Sequence, residues 1–147
     1  MGGGDYEREL ARWFRAGGWH AHRAGSSGGG TAADLPDLAV GQAGHAFAIE
    51  AKTTSDPYIY VDPEEVDALR RYATAFGMVP LVAARYKGVT RWDLHTPVAM
   101  DRTRSGTYRA SEDDETRCVG FVTEDSCPDP EWLVDAVGTA TEAAGLE

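Results

Sequence analysis

The sequence predicts an α/β fold, a mixed central β-sheet flanked by helices. Three features carry this expectation: an amphipathic helix at the start, short apolar strands separated by glycine-rich turns, and a sharply capped second helix before two further strands. The resulting order, α, three β, α, two β, is that of helices layered on a sheet. Asp5 is placed to cap a first helix reaching about Ala16, with Leu10, Trp13 and Phe14 forming an apolar stripe at i, i+3, i+4. Gly17-Gly18 stops it. Trp19–Arg23 reads as a short strand, Gly25–Gly30 as a flexible loop ending near Pro36, and Leu38–Val40 as the next strand. A turn at Gly41–Gly44 leads into a strong strand from Ala46 to Lys52.

The second helix has the clearest local signature. Asp62 is its N-cap, Pro63 its first residue, and Glu65 completes a capping-box pattern. Val66, Leu69, Ala73 and Phe76 recur on one face, and Gly77 ends the helix. Leu81–Tyr86 is then a continuous apolar strand, with Thr90–Leu94 its hairpin partner across Lys87-Gly88. Beyond Pro97 the pattern decays. The organisation expected is a core over residues 1–98 and an acidic C-terminal extension over 99–147, with a short helix at 130–143 announced by Asp129-Pro130-Glu131.

A chain of 147 residues buries roughly 70% of its unfolded surface, enough for one core without staples. No apolar run approaches the roughly 18 residues of a membrane helix, and the glycine-rich start does not read as a signal peptide. Cys118 and Cys127 lie outside metal-ligand spacing and form no disulfide framework, so a cytoplasmic location is expected. The charge is unusual: 24 acids against 14 bases, net −10, with Lys52 and Lys87 the only lysines beside 12 arginines. Acid excess with scarce lysine is the pattern of a halophile's proteome. Net acidity argues against a nucleic-acid partner, but molar salt shortens the Debye length to about 3 Å and weakens that objection. The excess is also uneven, because residues 1–100 hold 10 bases and 12 acids while residues 101–147 hold 4 and 12.

One constellation carries chemistry: Pro36-Asp37, then Glu50-Ala51-Lys52 on the following strand. Side chains at i and i+2 of a strand share a face, so Glu50 and Lys52 point together and a hairpin brings Asp37 beside them. Paired carboxylates are the hard oxygen ligands that Mg²⁺ takes, with the Ala51 carbonyl a third candidate. A lysine beside such a site can position water for attack on a phosphodiester. The isolated pattern is weak, and a solvated strand edge with a Glu/Lys pair is the plain alternative. Against that stand the scarcity of lysine and the two charges in an otherwise apolar strand, since buried charges persist when paired or metal-bound.

From these residues outward the chain resembles the archaeal Holliday junction resolvases of the Hjc type, within the PD-(D/E)xK nuclease superfamily. The resemblance runs through Gly3-Gly4-Asp5-Tyr6-Glu7-Arg8-Glu9-Leu10, Gly18-Trp19, Arg23, Ser27-Gly28, Pro36-Asp37-Leu38, Ile49–Thr54, Tyr58-Ile59-Tyr60, Phe76-Gly77, Pro80 and Trp92. It implies a restriction-endonuclease-like core. It further implies Glu7, Asp37 and Glu50 as metal-site acids, Lys52 as catalytic lysine, Arg8 and Arg23 as phosphate contacts, and Ser27, with Ser26 beside it, on a loop required for cleavage. The implied activity is paired, Mg²⁺-dependent nicking of four-way junction DNA by a homodimer in recombination and repair, with Mn²⁺ as a substitute metal. A linear-duplex nuclease of the same superfamily and a non-catalytic junction-binding protein are the rival readings. Glu65 departs from the glutamine expected early in the second helix, and the lysines expected near the amino terminus and around residues 55–62 are missing. His20 and His22, His45 and His95, and both cysteines are expected to play no part in chemistry.

Overall fold

The computed structural model describes residues 3–24, 35–113 and 117–145. The elements are α1 (Gly3–Ala16), β1 (His20–Arg23), β2 (Leu38–Gln42), β3 (His45–Thr54), β4 (Tyr58–Val61), α2 (Pro63–Phe76), β5 (Val79–Tyr86), β6 (Trp92–His95), β7 (Asp101–Arg102), β8 (Tyr108–Ser111), β9 (Gly120–Val122) and α3 (Pro130–Ala143). A six-stranded mixed sheet runs in the order β1-β2-β3-β5-β6-β9, and a small sheet in the order β4-β8-β7. β3 and β5 are parallel, and the chain joining them passes through α2, the crossover that a parallel pair requires. Thus the expected mixed α/β sheet with flanking helices is what forms.

Alternation along the strands divides the core between the two sheet faces. Phe47, Ile49, Leu81 and Leu94 pack with Leu10, Phe14 and Trp19, and Leu133 of α3 joins them. Ala48, Val82 and Ala84 pack with Val66, Leu69 and Ala73 of α2 and with Ile59, Val61 and Tyr108 of the small sheet. The two clusters hold each helix to its own face of the large sheet. Glu9, on α1, is also buried: it accepts from Arg85 Nε at 2.8 Å and from Trp92 Nε1 at 3.0 Å, bridging α1 to β5 and β6.

Several local expectations change. α1 begins at Gly3, so Asp5 lies inside the first turn and accepts from Arg8 instead of capping. Phe76 leaves the buried face; it is 65% exposed and its ring lies 4.7 Å from that of Tyr72. Gly77 does terminate α2, in the left-handed conformation at φ 69° that favours glycine. The polar stretch after Pro97 is not structureless: β8 pairs with β4, β9 pairs with β6, and Leu133 is fully buried. Cross-strand backbone bonds hold these strands without long apolar runs of their own, so the segment beyond residue 98 contributes strands to both sheets and a helix to the main core.

Candidate active site

The site sits where β2 enters the sheet beside β3. Leu38 pairs with Ile49 in the antiparallel register, and one further step sets Asp37 opposite Glu50 on the same face. β2 begins only at Leu38, and just ahead of it the Asp37 side chain stands in for the ladder: its Oδ2 accepts the Ala51 N–H at 2.8 Å. Two residues along from Glu50, Lys52 Nζ lies 3.9 Å from Glu50 Oε2. Asp37, Glu50 and Lys52 therefore meet as their strand spacing predicts.

The fourth member comes from α2. Glu65 accepts the Asp62 N–H through Oε1 at 3.2 Å, closing the helix start, and holds Lys52 Nζ through Oε2 at 2.5 Å. One carboxylate thus serves both the helix cap and the site. Sequence reasoning placed Glu65 only as a capping residue and a departure from glutamine. The available signal was that an N3 glutamate stands in the first turn, and the first turn of α2 abuts the end of β3.

Burial is the largest influence on every charge here. It raises the Asp37 carboxyl above its ordinary value, against the Ala51 hydrogen bond, with Glu7 and Glu65 adding repulsion. Glu50 is pushed up to about 8, first by burial, then by Asp37 and by a hydrogen bond shared with Glu65. Burial alone would lower Lys52, but its hydrogen bond to Glu65 and the charges of Glu65, Glu50 and Asp37 prevail and hold it above the usual lysine value. Glu65 runs the other way: burial opposes its charge, and the bonds from Lys52 and the Asp62 backbone hold it below the ordinary range. At neutral pH the consistent arrangement is an ammonium on Lys52, a carboxylate on Glu65 and a proton on Glu50.

Glu7, on α1, accepts from Arg23 Nη2 at 3.3 Å and raises Asp37 by its charge. A Cβ built on Gly4 would lie 3.6 Å from an Arg8 guanidinium nitrogen and 3.7 Å from one of Arg23, so both cations flank the start of α1. Arg8 also pairs with Asp5 at 2.9 Å in an exposed position. Ser26 and Ser27 lie outside the described residues. His20 and His22 are exposed on β1, whereas His95 is buried within β6.

The donor set suits a divalent cation of the hard class. Asp37 and Glu50 offer carboxylate oxygens, Ala51 a backbone carbonyl, and Glu7 a further acid close enough to repel Asp37. Carboxyls driven up by burial and then by neighbouring acids are groups whose ionised form a bound cation would stabilise, and Glu50, pushed up to about 8, carries the larger of the two effects.

A sequence model of the family described as archaeal Holliday junction resolvase (Hjc) matches residues 1–122. The crossover junction endodeoxyribonuclease Hjc of Methanocaldococcus jannaschii is 30% identical over 86 residues, covering 58% of this chain and 60% of that protein's length. A solved structure of Archaeoglobus fulgidus Hjc, a Holliday junction resolvase from an archaeal hyperthermophile, superposes with a TM-score of 0.70 at 25% identity, covering 79% of this chain and 93% of that one. With the family match spanning both the acidic cluster and the sheet that builds it, the chain belongs to the archaeal Holliday junction resolvase (Hjc) family.

Proposed function

We propose that this chain is a Mg²⁺-dependent, structure-specific endonuclease that resolves four-way DNA junctions as a homodimer, in the manner of the PD-(D/E)xK superfamily. The observation that carries the reading is the convergence of Asp37, Glu50 and Lys52, with Glu7 adjacent, at one end of β3 in a chain of this family. Asp37 and Glu50, with the Ala51 carbonyl, would hold the metal, and Mn²⁺ shares the same preference for oxygen. Bound there, it supplies positive charge for the phosphate oxygens and acidifies water.

The remaining work falls to the chain's own side chains. Lys52, held cationic between Glu65 and Glu50, orients a water or a phosphate oxygen beside the scissile bond. Arg8 and Arg23 take flanking phosphates, and Ser26 and Ser27 are the serines that the family resemblance implicates in cleavage. Contacts of this kind read backbone and shape, not bases. A junction has near two-fold symmetry, which suits a two-fold dimer with two such sites. Residues 1–98 supply the nuclease chemistry, and residues 99–147 support that core. The acid excess, net −10, fits a halophilic archaeal source and a cytoplasmic enzyme working in concentrated salt. Among the described residues no helix is long and apolar enough to cross a membrane.

The test is strand cleavage of a synthetic four-way junction with Mg²⁺ at high KCl, against linear duplex. Paired symmetric nicks confined to the junction are expected. Asp37→Ala, Glu50→Ala and Lys52→Ala should lose cleavage and keep junction binding, because their interactions serve the transition state. Equal cutting of linear duplex would remove the junction specificity, and undiminished nicking by any one variant would remove the site.

A further inference from the structure

On the face of the large sheet that carries Glu50 and Lys52, two strands further along, lies a second group of ligating side chains. The register sets Lys52 beside Ala84 and Ala84 beside Asp93, and likewise Glu50 beside Val82 and Val82 beside His95. Two strand spacings, about 10 Å, separate the two groups. Asp93 is 1% and His95 2% exposed. Cys118, in the segment leading into β9, closes on them: one ligand atom from each of Asp93, His95 and Cys118 lies within 4.8 Å of the other two. Cys118 Sγ stands 3.9 Å from His95 Nε2.

We propose that Asp93, His95 and Cys118 form a binding site for a transition metal of the Zn²⁺ class. One thiolate, one imidazole and one carboxylate form a donor set of the kind that selects Zn²⁺ over Mg²⁺, since soft sulfur and nitrogen disfavour a hard oxygen-seeking ion. The site is therefore chemically distinct from the oxygen-lined one around Asp37. Three features of the surroundings support it. Arg91 Nε donates to Asp93 Oδ1 at 2.8 Å and so fixes the carboxylate, as hydrogen-bond donors behind metal ligands do. The Tyr86 hydroxyl is buried with no hydrogen-bond partner among the described residues, and after burial itself Asp93 and Cys118 are the charges that bear most on it. It is thus a buried polar group, within electrostatic reach of two of the three ligands, that lacks the partner a bound water could supply. Finally, Cys118 lines a cavity of about 660 Å³ together with Val119, Trp132 and Ala136, so one of the three ligands borders open space.

The bound ion would tie β6 to the chain leading into β9, fastening the edge strand to the sheet. No short-spacing motif announces the site because its ligands come from two segments 23 residues apart that the sheet brings together.

Cobalt is the probe, because a thiolate bound to Co²⁺ gives a near-ultraviolet charge-transfer band that carboxylate sites do not. Titrating the full-length, metal-stripped protein with Co²⁺ should produce that band, saturating at one ion per chain, and Zn²⁺ should abolish it in competition. The band should be lost in Cys118→Ala and His95→Gln, each confirmed folded by circular dichroism. It should persist in Cys127→Ala, whose thiol is pushed up to about 12 by burial, and in Asp37→Ala. Absence of the band at excess Co²⁺, or its survival in Cys118→Ala, would overturn the proposal.

Discussion

Replacing Glu50 by glutamine should stabilise the metal-free protein, and by an amount that grows with pH. The carboxyl has an ordinary value of 4.5 and is pushed up to about 8 in the fold, chiefly by burial and then by Asp37. Between those values the unfolded chain has released the proton and the folded chain still holds it, so the folded state binds more protons and stability falls as pH rises. Glutamine mimics the protonated form and has nothing to titrate. The two proteins should therefore match near pH 4.5 and diverge by about 1.4 kcal/mol for each pH unit above it. The gap should reach on the order of 4 kcal/mol near pH 8 and stay level beyond. The side chain is 17% exposed, so solvent does little to screen the effect. Urea unfolding in EDTA from about pH 5 to about pH 9 measures this directly. Adding Mg²⁺ should then reverse the order at high pH, because only the ionised carboxylate gains a partner. A glutamine variant less stable than the parent near pH 8 in EDTA, or a gap independent of pH, would refute the electrostatic account of the site.

Two further substitutions probe the frame. Leu133→Ala removes a fully buried side chain that anchors α3 to the main core and should cost about 3 kcal/mol by urea unfolding; a loss below about 1 kcal/mol would mean that α3 is not packed there. Glu9→Ala strands Arg85, whose side chain is 11% exposed, and takes the acceptor from Trp92; a loss of about 3 kcal/mol is expected, and a neutral result would show that the bridge from α1 contributes nothing.

What the sequence disclosed followed the range of the interactions involved. α2 was legible because its start and stop are local: Asp62-Pro63 and Gly77 act within a turn of themselves. Asp37, Glu50 and Lys52 were legible because strand alternation and one hairpin suffice to bring them together. β4 and β8 were not, since each has four residues and finds its partner about fifty residues away along the chain. β6 misled differently. All four of its residues are buried, so Asp93 and His95 sit on an inner face where alternation would ordinarily place apolar groups. Glu65 was visible as a cap, but no local pattern says where a cap's second oxygen points.

Glu65 also bears on how so acidic a chain could approach DNA, the substrate proposed above. Where the resemblance leads one to expect glutamine, this chain adds a carboxylate to a site that already holds Asp37 and Glu50 with Glu7 alongside. Three acids around one lysine, with Glu7 repelling Asp37 from the side, are not all ionised at this packing, and the structure resolves the conflict by short contacts: Lys52 binds Glu65 at 2.5 Å, and Glu50 keeps its proton. Interactions at that range persist in molar salt, where the Debye length is about 3 Å, while the repulsion between a phosphate backbone and distant surface acids is screened away. Low salt reverses the balance, leaving the net charge of −10 to oppose DNA at long range. On the reading proposed above, the acidity outside the site and the extra acid within it are compatible with catalysis on DNA in concentrated salt, and the choice of cation at Lys52, in a chain with two lysines and 12 arginines, follows from the room available. A compact ammonium fits between Glu50 and Glu65, whereas a guanidinium fork is broader and cannot change places with it.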